Sequence, residues 1–264
     1  SFTIFADGQR FKCFGCGAGG DVLDFLRLRH GVGLRAAAEM LAGGEVPLLE
    51  SAPMVGANRD NRDNSAGIDR ARAIWERAKP ASGTPAERYL RSRGLHLQIP
   101  ETIRFAALRY GTGGPEHPCL VAAVHDVDGA LTGIQRTYLN AEGTGKLAVD
   151  KAKLSLGRVS GGAVQLAPAA ASLVVCEGLE DGLTLQQELG QAVWAAAGAS
   201  MLPNMQFPPL VQCVAIGGDG DDAGRAAAGK AARAFALRGL AVRTFFPAAP
   251  HKDFNDMLLK GDAQ

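Results

Sequence analysis

Charge of either sign is not in excess: 28 lysines and arginines meet 27 acids, for a net charge of +1. There is no chain-wide basic signal for nucleic acid, so any polyanion contact must come from a local patch. Aromatic residues are scarce at 6%. No segment approaches the run of about 18 apolar residues needed to span a bilayer. The first ten residues lack the charged-then-apolar pattern of an export signal, so a cytoplasmic protein is expected. Cysteine is thin and odd in number, at positions 13, 16, 119, 176 and 213, which excludes a disulfide framework. Only Cys13 and Cys16 form a pattern. What the chain has is aliphatic bulk. Hydrophobic residues make up 47% of 264, enough for one large domain or two smaller ones.

Patterning divides the chain into a short module at 1–42, a linker at 43–66, an α+β block at 67–165 and an α/β block at 166–264. The first module reads as two short strands around Ala6-Asp7-Gly8, then a glycine-rich knuckle. Asp21 is placed to cap a helix carrying Val22, Leu23, Phe25 and Leu26. The linker holds Pro47, Pro53 and a polar run over 58–64 that buries nothing. The third segment starts with helices around Trp75 and Tyr89. It continues with strands over 103–105, 118–126 and 132–139, the last two joined by the turn Val127-Asp128-Gly129. The fourth alternates apolar strands (172–176, 192–197, 210–216, 241–246) with helices (180–189, 222–238, and a last one from 255). That alternation predicts a parallel sheet covered on both faces.

Ligands of such sheets bind at the carboxyl ends of the strands. Three strand ends here deliver acids: Cys176-Glu177-Gly178, Gly218-Asp219-Gly220-Asp221-Asp222, and Lys252-Asp253-Phe254-Asn255-Asp256. Gathered carboxylates repel one another, and a hard divalent cation such as Mg²⁺ or Mn²⁺ relieves the repulsion. Glu177, Asp219, Asp221 and Asp253 are the candidate ligands. Gly218 and Gly220 are expected to let a phosphate or metal approach the backbone beside Asp219. Asp222 reads better as a helix cap. Asp256 could cap the last helix, and Glu180 could be a solvated helix residue.

The spellings "VVCEGLEDGLTL", "AIGGDGDDAGRAAA" and "HKDFNDML" resemble the Toprim domain of bacterial primases, topoisomerases and some nucleases. They are closest to primases of phages, plasmids and integrative elements. The resemblance implies that Glu177 is a general acid/base or metal ligand and that Asp219, Asp221 and Asp253 hold Mg²⁺ or Mn²⁺. It gives Asp256 and Glu180 a weaker claim on the metal. "SFTIFADGQRFKCFGCGAGGDVLDFL" resembles the second half of the primase zinc-binding domain. Two thiolates at this spacing can share one Zn²⁺, but a structural zinc needs four ligands. The resemblance places the missing Cys/His pair before Ser1, so a chain cut short at its N-terminus is expected. Cys13 and Cys16 would then be zinc ligands of the complete protein.

Zinc knuckle before Toprim is the order of a DnaG-like primase. The resemblance therefore implies template-directed synthesis of short RNA primers from ribonucleoside triphosphates on single-stranded DNA, beside a replicative helicase. It also sets Arg136 and Lys153 facing the metals, where cations would bind triphosphate and template. Lys151 and Arg158 are lesser candidates. The alternatives are a Toprim nuclease, or a module that binds nucleic acid or helicase with an idle site. A topoisomerase would need a nucleophilic tyrosine. None of Tyr89, Tyr110 and Tyr138 sits in a recognisable DNA-breaking module.

Overall fold

The computed structural model describes residues 2–5, 10–13, 19–42 and 57–261. They fall into two compact units, Ser1–Ala57 and Asn58–Gln264.

In the first unit, β1 (Phe2–Phe5), β2 (Arg10–Cys13) and β3 (Gly19–Asp21) form an antiparallel sheet. Helices α1 (Val22–His30) and α2 (Leu34–Ala42) come next. Asp21 caps α1 as expected. Its side chain accepts the Leu23 and Asp24 amides, and Asp24 reaches back to the Asp21 amide in a capping box. Gly31, at φ 65°, ends the helix in the left-handed conformation. Residues 14–18, which carry Cys16 and most of the expected knuckle, lie outside the described residues.

The second unit opens with α3 (Ala57–Arg77). This helix begins inside the stretch expected as a linker. Helix propagation adds a hydrogen bond for each residue fixed, so a polar run can continue a helix that is anchored further along. Ala71 provides such an anchor: it is fully buried against one face of the next sheet.

That sheet contains β4 (Lys79–Pro80), β5 (Ile103–Arg109), β6 (Glu116–His125), β7 (Leu131–Tyr138) and β8 (Lys153–Gly157). It is antiparallel throughout, in that order. Helix α4 (Pro85–Ser92) starts on the Thr84 cap with proline at its first turn. Strand alternation splits β6 cleanly. Cys119 and Val121 face α3, while Leu120, Ala122 and Val124 face the core shared with α4.

The remaining elements are β9 (Val164–Gln165), β10 (Ser172–Cys176), α5 (Leu179–Leu189), β11 (Val193–Ala195), β12 (Cys213–Gly217), α6 (Asp222–Ala236), β13 (Ala241–Phe245) and α7 (Phe254–Gly261). Their sheet runs β13-β12-β10-β11-β9, parallel except for the antiparallel edge strand β9. Both faces are covered, as a parallel sheet requires. Val174 and Cys176 join one core with Leu183 and Phe254; Leu173 and Val175 join another with Trp194 and Phe235. The fold class is α/β, with an α+β block ahead of the parallel sheet. No helix among the described residues is long and apolar enough to cross a membrane.

Candidate active site

Neighbouring strands of the parallel sheet stop level with one another. Cys176 pairs with Gly217, and Gly217 with Phe245, so the segments leaving these strands converge on one edge. Glu177 directly succeeds β10, Asp219 lies two residues beyond β12, and Asp253 sits immediately before α7. A cleft of about 160 Å³ opens there. Five acids from the parallel-sheet block line it, Glu177, Glu180, Asp181, Asp219 and Asp253, together with three cations from the antiparallel block, Arg93, Lys146 and Lys153.

The acids raise one another's pKa. Burial and then the Asp219 charge lift Glu177, while burial, Asp253 and Asp221 lift Asp219. Burial and the charge of Asp253 push Asp181 up to about 7, although it accepts the Asn255 amide at 3.0 Å. These carboxylates lack the counter-charge they call for.

Glu180 behaves oppositely. Its Oε2 accepts Lys153 Nζ at 2.6 Å, and its Oε1 accepts the Tyr89 hydroxyl at 2.6 Å and Lys146 Nζ at 3.0 Å. Burial works against its charge, yet Lys153 and Lys146 hold the carboxyl well below the usual range. Glu180 is 6% exposed, so the solvated helix position expected for it is corrected. Its oxygens accept two lysines and a hydroxyl.

Asp221 accepts the Gly224 amide at 2.7 Å and is the N-cap of α6. It does not line the cleft, though its charge acts on Asp219 and Glu177. Asp222 is the first residue of α6. The cap of α7 is Asp253, through the Asp256 amide at 2.7 Å, where the sequence suggested Asp256. Asp256 instead pairs with Lys260 at 2.7 Å.

Arg136 and Lys153 are not brought together. Lys153 pairs with Thr137 in the ladder, so alternation puts Arg136 on the opposite face with Ile134 and Tyr138. There Arg136 donates to the Ser155 carbonyl at 3.2 Å and stacks toward Tyr138. Arg158 pairs with Asp126 at 3.4 Å. The glycines near Asp219 also have a different task from the one expected. A side chain on Gly218 would strike Phe246 and Ala228, and one on Gly220 would strike the His251 carbonyl. They let the sheet edge and the loop before α7 close on each other, and the Gly220 amide donates to the Lys252 carbonyl at 2.7 Å.

Four site residues escaped sequence reasoning: Asp181, Arg93, Lys146 and Asn255. Asp181 had a signal, since it is an acid in the first turn of the helix that starts directly after the Glu177 strand end. Asn255 is 1% exposed and ties α7 to α4 through the Arg93 carbonyl at 2.9 Å and to α5 through Thr184 at 3.1 Å. Cys13 ends β2 and is half-buried.

The cleft suits a divalent cation. Its donors are hard oxygens, and the buried Asn255 Oδ1 has no hydrogen-bond partner among the described residues. No three acidic, cysteine or histidine side chains among the described residues are gathered tightly enough to hold an ion by themselves. Mg²⁺ does not require it, because it keeps waters and takes one or two carboxylates plus substrate phosphates.

A parallel sheet with acids at three strand ends is the arrangement of a Toprim domain, and residues 172–263 match the family described as Toprim domain. Residues 1–46 match the CHC2 zinc finger of DnaG type, and residues 65–166 match a domain of unknown function (DUF7146). The Aquifex aeolicus primase, solved with its zinc-binding and RNA polymerase domains, shares 20% identity at a TM-score of 0.52. That match covers 98% of this chain and 72% of the other. A DNA primase domain from Pseudomonas aeruginosa shares 17% at a TM-score of 0.50, over 74% of this chain and 75% of the other. Comparison with curated protein sequences finds no match. In its modules and its fold the chain is DnaG-primase-like, with a Toprim domain behind a zinc-finger segment. Those two modules point to Zn²⁺ and to a further divalent cation.

Proposed function

We propose that the chain is a DNA primase that makes short RNA primers on single-stranded DNA by metal-dependent nucleotidyl transfer. The observation that supports this reading is one cleft lined both by carboxylates from the parallel-sheet block and by cations from the antiparallel block. Nucleotidyl transfer needs both, one for a cation and one for a polyphosphate.

Asp219, Asp253 and Asp181 would hold Mg²⁺ or Mn²⁺, with Asp221 adding its charge from the cap of α6. Once bound, the cation supplies charge neutralisation of the triphosphate and of the leaving pyrophosphate. Lys153, Lys146 and Arg93 bind the phosphates from the other side. Arg93 suits the task because its buried Nε has no hydrogen-bond partner among the described residues. The primer 3′-hydroxyl attacks the α-phosphorus. The new P–O bond forms as the α–β P–O bond breaks, and pyrophosphate leaves. Glu177, lifted above the usual carboxylate range, accepts the hydroxyl proton. The partners this reading implies are a single-stranded DNA template, ribonucleoside triphosphates and a replicative helicase. Cys13 and Cys16 would hold Zn²⁺ with a further pair of ligands.

The test is incorporation of labelled ribonucleotides on single-stranded DNA with Mg²⁺ or Mn²⁺. Short products are expected from the chain supplied with Zn²⁺. They should be lost in Asp219→Ala while the fold is kept. Nicked DNA without nucleotide incorporation would replace primase by nuclease.

A further inference from the structure

We infer that Glu180 is a positioning residue that holds Lys153 and Lys146 off the metal-binding carboxylates, keeping those carboxylates open to the cation. The inference rests on the reading of the cleft as a metal and polyphosphate site.

The geometry makes a partition. Five acids crowd the start of α5 and the neighbouring strand ends, and two ammonium groups reach in from the antiparallel block. All the ion pairing of Lys146 and Lys153 falls on a single acid: 3.0 Å from Lys146 to Oε1 and 2.6 Å from Lys153 to Oε2. The Tyr89 hydroxyl, donated from α4, fixes the carboxylate plane at 2.6 Å. Glu180 thus takes three donors on two oxygens, close to what a carboxylate can accept. Its neighbours Glu177 and Asp181 are left without a lysine partner.

Without the Glu180 charge, Lys153 has other anions to turn to. Its charge already bears on Glu177, Asp181 and Asp219. A half-buried ammonium that loses its partner moves to the next carboxylate, since a charge left unpaired there is costly. A lysine paired with Glu177 or Asp219 competes with the cation for the same oxygens. Tyr89→Phe would leave both lysine contacts in place, so the two lysines, rather than the hydroxyl, define the effect.

The experiment is Mn²⁺ binding to the whole chain, monitored by the electron paramagnetic resonance signal of free Mn²⁺. Glu180→Gln keeps the size and one hydrogen-bond acceptor but removes the charge. It is expected to weaken Mn²⁺ binding by roughly tenfold or more, the usual cost of losing a group that orients metal ligands. Adding Lys153→Met should restore binding, while adding Lys146→Met should restore it less. Unchanged binding in Glu180→Gln overturns the inference. So does failure of Lys153→Met to rescue, which would mean plain disruption, or equal rescue by both lysine substitutions, which would mean net charge alone. Should Glu180→Gln not fold, Lys153→Met alone decides. With Lys153 already held on Glu180, removing its charge tightens Mn²⁺ binding by only a few-fold; a tightening of roughly tenfold or more would show that Lys153 sits on the metal ligands and overturn the inference. Primer synthesis by the unsubstituted chain judges the functional reading separately, because Mn²⁺ binding requires no turnover.

Discussion

Among the cleft carboxylates Asp181 is the one pushed furthest up. Burial and the charge of Asp253 push it up to about 7, from an ordinary value of 3.8. Between those values the folded chain holds a proton that the unfolded chain has released. Stability therefore falls as pH rises through that window. Glu177 and Asp219 are shifted the same way. Glu180 runs opposite: its contribution is present above its ordinary 4.5 and is lost only as pH drops well below it. From about pH 5 to about pH 7 the large upward shift of Asp181 lowers stability as pH rises, while His125, whose pKa burial lowers, works the other way below its ordinary 6.5; the larger shift is that of Asp181. With metal removed by chelation, the Tm should decline across this range, and Asp181→Asn should flatten the decline. A Tm that climbs with pH in the unsubstituted chain would contradict the charge arrangement. The acidic strand ends were legible because glycine-flanked acids after apolar strands have a period and a place. Lys146 and Arg93 were not, since a lone cation in a loop or at a helix end has no periodic signal. Arg136 and Lys153 looked equivalent until strand register separated their faces.

At the scale of elements, the site is held by helix starts. Asp221 caps α6 and Asp253 caps α7, each binding a backbone amide three residues on at 2.7 Å. A cap and a metal ligand make separable demands on Asp253. Asparagine caps as well as aspartate, whereas alanine does not. Asp253→Asn should therefore keep the Tm but lose Mn²⁺ affinity. Asp253→Ala should lose both, with a stability cost of about 1 kcal/mol. Denaturant unfolding beside a metal titration separates the two. Equal affinity in Asp253→Asn and the unsubstituted chain would confine Asp253 to capping. The helices and the long apolar strands could be read from the sequence, because burial imposes periods of 3.6 and 2 on their side chains. The short strands could not. Two-residue β4 and β9 are too brief to show alternation, and β8, Lys-Leu-Ser-Leu-Gly, carries its lysine on the functional face. Edge strands of this kind are fixed by pairing with a neighbour, which a linear pattern does not record.

The whole molecule is built so that the antiparallel block and the parallel sheet cannot be parted. One core joins Tyr89, Leu90, Leu120 and Leu139 to Val174, Leu183 and Phe254. Strand β9 comes from the connection between the blocks yet completes the parallel sheet's edge through Trp194 and Ala195. Asn255 adds a polar tie from α7 to the α4 end at Arg93. The active cleft is itself a product of this junction, with its acids on one block and its cations on the other. A boundary near residue 166, natural in the sequence, cuts through all of these. A chain of 58–264 should then fold alone, unfold in one cooperative transition and bind Mn²⁺ as the whole chain does. A chain of 166–264 exposes the shared core, lacks β9 and leaves Glu180 without Tyr89, Lys146 or Lys153. It should show no cooperative transition by calorimetry, because a buried carboxylate without partners and an uncovered apolar face both oppose its folding. Two separate transitions in 58–264 would instead mark the blocks as independent domains. The cleft would then be assembled by docking, and its metal affinity would fall once the weaker block melted.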